Sequence, residues 1–470
     1  MTPIPPRDTD IAPIAAGSFP EGFLWGAATS SYQIEGGVHL DGRGPSIWDT
    51  FCRVPGAIVD GSDGSVAVSH RSRMPHDVAL MARLGIGAYR FSIAWPRVQP
   101  LGSGQVSASG LDFYSQLVDQ LLTAGIVPVA TLYHWDLPQA LEDRGGWPAR
   151  DTAKRFGDYA EIVGSVLGDR VARWSTVNEP WCSAMLGYGS GVHAPGRTEP
   201  AAAVAAAHHL LLAHGFGVDA LRATVSAPEP EIGITLNPYP VVPVGDEEAD
   251  HDAARRVDGI ANRIWYDSVL RGSYPDDVLD DIGAVSDLDH IHDGDLAQIA
   301  RPIDMMGLNY YRRHHVRHLP GASASPSPWP GSPDVEVVDP GRPVTDLLWA
   351  IEPDGLVDAV VALHRDYDPP PLYVHENGAA FADVVAPDGR VHDADRVEFL
   401  DGHVRACAEA IAAGVDLRGY FAWSFLDNFE WAEGYRKRFG IVHVDYETQE
   451  RTPKDSALWY SELIRRQTGG

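Results

Sequence analysis

The sequence predicts a single (β/α)8 barrel. Two observations carry that prediction: eight short apolar runs recur along the 470 residues, and the stretches between them have the spacing of amphipathic helices. A third is negative. No glycine-rich phosphate loop follows the first run, which weighs against a doubly wound open sheet. The runs are 23–29, 88–95, 126–133, 173–179, 231–237, 304–311, 372–378 and 417–425. Each is a continuous apolar stretch rather than an alternation, the pattern of a parallel strand covered on both faces.

Between the second and third runs, residues 109–125 place Leu111, Tyr114, Leu117, Val118, Leu121 and Leu122 on one helical stripe. Residues 393–413 do the same with Val397, Leu400, Val404 and Ile411. Gly125 and Gly414 stand where each helix must stop. Residues 313–345, rich in Pro, Gly and Ser, read as a long loop after the sixth strand, on the face where barrel sites form. The segment 66–78 reads as preceding the first barrel helix. No interdomain linker is visible, so the division expected is an N-terminal extension over 1–18 and one barrel over 19–470.

Acidic residues number 65 and basic residues 37, a formal charge of −28. That surface repels phosphate backbones and anionic lipid, so neither nucleic acid nor a membrane is the expected partner. Cys52, Cys182 and Cys407 are scattered and show no CxxC spacing. With no signal-peptide pattern, sequon or bilayer-length apolar run, they read as reduced thiols of a cytoplasmic protein.

Polar and aromatic residues collect at the C-terminal ends of the runs, the rim on which barrel enzymes build their sites. Gln33 follows the first, His134 and Trp135 the third, Asn178 and Glu179 the fourth, Asn309 and Tyr311 the sixth, and Glu376 and Asn377 the seventh. Trp423, Glu430 and Trp431 end or follow the eighth. Glu179 and Glu376 stand out, because an unpaired carboxylate at the end of an apolar strand is costly. Two of them facing a bowl of Trp, Asn, Gln and His suit glycoside cleavage: one carboxyl attacks or activates water, the other protonates the leaving oxygen, rings stack on sugar faces and amides bind hydroxyls.

FLWGAATSSYQIEG, AYRFSIAWPR, TLYHWDLPQAL, WSTVNEP, GLNYY, ENG, AWSFLDNFEW and RFGIVHVDY follow in that order from about Phe19 to Tyr460. In this the chain resembles glycoside hydrolase family 1, the retaining β-glucosidase family. The resemblance implies that Glu376 is the nucleophile and Glu179 the general acid/base, with Arg90 and Tyr311 supporting Glu376. It implies that Asn178 holds the sugar 2-hydroxyl, that Gln33, His134, Glu430 and Trp431 bind the other hydroxyls, that Trp423 is the stacking floor, that Asn309 completes the wall, and that Trp349 lines the aglycone side. No metal or organic cofactor is implied. The partner implied is a small β-glucoside such as cellobiose, and a monomer or a homo-oligomer both remain open. Two departures stand against the family pattern: His375 where threonine is usual, and the divergent 66–78 segment. Glu179 itself separates the chain from the myrosinase-like branch, and Glu430-Trp431 from the 6-phospho-glycosidase branch.

Other readings stay open at this point. They are a β-galactoside, β-fucoside or β-mannoside preference, glycosyl transfer in the same site, a catalytically silent sugar-binding barrel, and a metal-dependent barrel hydrolase. His290 and His292 among Asp289, Asp293 and Asp295 read as a solvated loop rather than ligands. His208-His209 and His314-His315 read as surface or packing residues, Cys182 as a buried structural thiol, and Trp25, Trp48, Trp147 and Trp174 as packing.

Overall fold

The computed structural model describes residues 11–322 and 326–469. Each of the eight apolar runs contains one strand: β1 (Leu24–Ala28), β2 (Ala88–Ser92), β3 (Val127–Tyr133), β4 (Arg173–Asn178), β5 (Glu231–Leu236), β6 (Met305–Asn309), β7 (Leu372–Asn377) and β8 (Leu417–Trp423). All pairings are parallel between sequence neighbours, and β8 closes on β1 with Leu24 opposite Gly419 and Ala28 opposite Trp423. The barrel interior mixes small and large side chains, Ala28 and Ala88 against Val129, Met305, Tyr373 and Phe421, so that it fills without a pore. A second, larger core lies between the strands and the surrounding helices.

The helices follow from their stripes. Ala108–Thr123 starts where the Ser107 hydroxyl accepts the Gly110 N–H at 3.1 Å. It buries Leu111, Tyr114, Leu117, Val118 and Leu121, and Gly125 ends it at φ +75°. Leu122, placed on the same stripe by the sequence, is 43 % exposed, since it lies a further 100° around the helix from Leu121. In Ala394–Ala412, Val397, Leu400 and Val404 are buried and Ile411 is half-buried. Pro200–Thr224 is long and apolar enough by length and composition to cross a bilayer. Yet 78 % of its apolar window is buried, and it packs on the helix Arg150–Leu167.

Two expectations need correction. Residues 313–345 are not one loop. His314–His318 and Val335–Val338 pair antiparallel, and His314–His318 also pairs with Val241–Pro243, making a small three-stranded sheet over the rim. Residues 70–78 do not precede the first barrel helix. They form the first turns of His70–Arg83, where Asp77 accepts from His70 and Arg451 and ties the helix to the C-terminal hairpin rather than to the rim.

A buried ionic cluster anchors the segment after β8. Lys454 reaches Asp427 at 2.7 Å and also pairs with Asp383, while Arg438 reaches Asp427 at 2.6 Å and Arg396 reaches Asp383 at 2.8 Å. The side chains of Lys454, Asp427, Asp383 and Arg396 are essentially without solvent contact. Removing one member leaves uncompensated charge in the interior. Lys454→Ala is therefore expected to destabilise the fold by about 3–5 kcal/mol, read as a lowered urea midpoint.

Candidate active site

The strand ends bring the two carboxyls onto one rim. Glu376 stands opposite Asn309 in the β6–β7 pairing, just past an irregularity after Val374, and Asn178 stands opposite Thr235 in the β4–β5 pairing, past another. Such bulges re-aim side chains at a sheet end. Three rim residues also take a left-handed backbone: Glu179 at φ +43°, Trp135 at φ +80° and Trp431 at φ +47°. That conformation costs about 1–3 kcal/mol each for a non-glycine residue, and contacts hold it in place. The Glu179 N–H donates to the Thr235 carbonyl at 2.9 Å, and the Trp135 indole donates to the Asn178 carbonyl at 3.0 Å.

Both candidate carboxyls line one cavity of about 570 Å³, together with His134, Trp135, Tyr311, Trp349, Trp423, Glu430 and Trp431. Glu376 pairs with Arg90 and accepts from the Tyr311 hydroxyl at 2.8 Å. Arg90 also donates to the Asn178 side-chain carbonyl at 2.6 Å. The Asn309 amide donates to that same oxygen at 3.0 Å and to Glu179 at 2.5 Å. Asn178 thus receives donors on its oxygen, and its amide faces His134 Nε2 at 3.2 Å.

The other expected residues close the bowl. Gln33 donates to Asn428 at 3.0 Å, to the Phe429 carbonyl at 2.9 Å and to Glu430 at 3.4 Å, so it fixes the loop that carries Glu430 and Trp431. The His134 ring lies nearly parallel to those of Trp423 and Trp431, with centroids 5.7 and 6.0 Å away. Tyr311 and Trp349 meet edge to face at 5.5 Å. Trp25, Trp48, Trp147 and Trp174 are buried, and Trp48 packs on Trp431 at 4.6 Å.

Electrostatics separate the two carboxyls. Burial, then the negative charge of Glu376, pushes Glu179 up to about 7. Burial also raises Glu376, but Arg90, Tyr311 and Asn309 all favour its ionised form, which leaves Glu376 the more acidic of the two. Burial, reinforced by both neighbours, carries Glu430 to about 8, so near neutral pH it can donate a hydrogen bond. Burial holds His134 neutral, well below the usual histidine range.

The sequence reading missed several contributors. Cys182 is buried as expected, yet its thiol donates to Glu179 at 2.9 Å. The signal was available, because Cys182 lies three residues beyond Glu179 at the start of a helical segment. His375 points into the barrel beneath the site. Its Nδ1 meets the Thr235 hydroxyl at 2.8 Å, Thr235 meets Ser175 at 2.8 Å, and a Cβ on Gly307 would stand 2.1 Å from that ring. Trp181, Tyr239, Arg312, His314 and Trp329 add a second wall to the cavity. Among the described residues no three His, Cys, Asp or Glu side chains are grouped as a metal ligand set. His208 and Asp295, near the His290 loop, are bonded to each other at 2.9 Å, and Arg150 also pairs with Asp295.

Known proteins share this arrangement of strands and rim over nearly the full length. A bifunctional β-D-glucosidase/β-D-fucosidase of Bifidobacterium breve is 48 % identical, covering 95 % of this chain and 98 % of its own. The crystal structure of a psychrophilic β-glucosidase from Micrococcus antarcticus superposes with a TM-score of 0.92 at 49 % identity, covering 96 % and 98 %. A β-glucosidase from Thermotoga maritima in complex with deoxynojirimycin superposes with a TM-score of 0.91 at 45 % identity, covering 96 % and 99 %. The family model described as glycosyl hydrolase family 1 matches residues 15–468, so a barrel closed by β1 and β8, with its paired carboxyls at the ends of β4 and β7, has the ancestry its motifs suggested: the chain belongs to glycosyl hydrolase family 1.

Proposed function

We propose that the chain is a retaining β-glycosidase that hydrolyses terminal β-D-glucosyl residues of small soluble glycosides: cellobiose, short cello-oligosaccharides, and aryl or alkyl β-glucosides. The observation that carries the reading is the pair Glu179 and Glu376, facing one cavity and split in acidity by Arg90. Ionised Glu376 attacks the anomeric carbon from the α face. Protonated Glu179 gives its proton to the leaving oxygen, and an α-glycosyl ester of Glu376 forms. Esterification removes the charge that raised Glu179, so Glu179 becomes a better carboxylate and takes a proton from the incoming water. Water then displaces Glu376 and the sugar leaves as the β-anomer. Asn178 is assigned to the 2-hydroxyl, Gln33, His134, Glu430 and Trp431 to the other hydroxyls, Trp423 to the sugar face, and Trp349 to the aglycone. The β-glucosidase activity of the relatives supports the glucoside preference, and the Bifidobacterium enzyme's second activity favours β-fucosides as a further substrate. The three unpaired cysteines support a cytoplasmic setting.

The test is hydrolysis of p-nitrophenyl β-glucoside in chelator, followed by proton NMR. Full activity with the β-anomer appearing first is the expected result, and early α-anomer or dependence on added metal would sink the reading. The rate should follow a bell in pH. Above about 7 Glu179 loses the proton it must donate, so kcat/KM falls as pH rises. Below the raised carboxylate range of Glu376 the nucleophile is protonated, so kcat/KM falls again as pH drops. The two limbs belong to the coupled pair.

A further inference from the structure

Among the described residues Arg312 has no counter-ion. Its neighbour Arg313 is held by Glu352 at 3.4 Å, by Asp354 at 3.0 Å and by Asp358. Among the described residues Arg312 has neither a carboxylate within ion-pair distance nor a hydrogen-bond acceptor. Unlike Arg53, Arg83, Arg342 and Arg436, which also lack an ion pair among the described residues but are exposed, Arg312 is half-buried. The guanidinium lies 5.1 Å over the Trp349 ring, faces Tyr239, and lines the same cavity as Glu179 and Glu376. Burial lowers its pKa from the ordinary arginine value, but a guanidinium stays charged.

Its surroundings are flat and aromatic. Tyr239 stacks on His314 at 4.1 Å and meets Trp181 at 5.6 Å, and Trp181 meets Trp329 at 5.3 Å. The carboxyls assigned to the sugar are each bonded to another partner, Glu376 to Arg90, Glu179 to Asn309 and Glu430 to Gln33. The cavity thus holds three carboxyls bonded among the sugar-binding residues, a fourth, Glu433, on the loop after β8, and one cation without an ion pair on an aromatic wall.

Resting on the retaining β-glucosidase reading, we propose that Arg312 recognises an anionic aglycone, specifically a β-glucoside whose leaving group is an aromatic ring bearing a carboxylate. The ring packs against Trp349 and Tyr239, and the carboxylate completes the ion pair that the protein leaves open. Ionised Glu376 at the sugar end repels the same group, which adds to the productive orientation, with neutral sugar inward and acid outward. A guanidinium that only braced Trp349 would affect acidic and neutral aglycones alike, which gives the test its contrast.

The experiment compares kcat/KM for 3-carboxyphenyl and 3-carbamoylphenyl β-D-glucosides, which differ in charge but little in shape. The variants are Arg312→Met and Arg312→Lys, with p-nitrophenyl β-glucoside as the reference substrate. The wild type is expected to prefer the acid by about tenfold at low salt. That ratio should shrink at about 0.5 M salt, where charges are screened over a few ångströms. It should fall to one or below in Arg312→Met and be partly kept in Arg312→Lys. Being a ratio within one protein, it is insensitive to a general loss of activity, and the salt series needs no variant. A wild-type ratio of one or less, a ratio unchanged in Arg312→Met, or cleavage of the reference substrate but not of the acid overturns the proposal. No cleavage of the reference substrate instead removes the activity on which the proposal rests.

Discussion

Glu376→Ala is expected to lower kcat on p-nitrophenyl β-glucoside by about 10⁴-fold or more, because the double displacement loses its first nucleophile. What remains is attack by water on a sugar still held by the bowl. The substitution also strips buried Arg90 of its carboxylate, so the comparison needs a folded variant, checked by circular dichroism and a urea midpoint. Azide supplies the positive readout. In the space left by the side chain it attacks from the α face and yields α-glucosyl azide by a single inversion. Activity near wild type, or azide giving the β-product, would remove Glu376 from its assigned role.

Glu179→Ala has a different signature, because its cost follows the leaving group. A simple alkyl β-glucoside needs a proton on the departing oxygen, and there kcat/KM should fall by about 10²–10⁴. A 2,4-dinitrophenyl glucoside leaves unaided, so its first step should be little changed. The second step then lacks its base, the glycosyl ester accumulates, and kcat and KM fall together. Azide needs no base and should restore turnover with β-glucosyl azide, the opposite anomer to the Glu376 variant. The fall in kcat/KM above about pH 7 should also vanish, since its source is gone. An equal loss on both leaving groups would argue for a structural role.

All eight strands were legible because a parallel strand buried on both faces leaves a continuous apolar mark on the sequence. Once they were placed, Glu179 and Glu376 followed, since strand ends of a barrel converge on one rim. The small sheet over that rim was not legible. Its strands are four or five residues long, HHVRH carries no apolar run, and prolines and glycines surround them. The cavity wall it supports joins Tyr239, Arg312 and Trp329, residues far apart in sequence with no shared period. His375 could be flagged as unusual, but its partners Thr235 and Ser175 lie on other strands and only the closed barrel makes them neighbours.

That closure has a consequence for synthesis. Leu24 and Trp423, the outermost residues of the β1–β8 seam, are separated by roughly 400 residues, which a ribosome adds in about 20–80 s. Until β8 arrives, β1 presents an open edge, and the loop bearing Glu430 waits longer, since Asp427 needs Lys454. Throughout that interval the nascent sheet offers an unpaired strand to its neighbours, so yield in a producing cell depends on elongation rate and chaperone supply as well as on the stability of the finished enzyme.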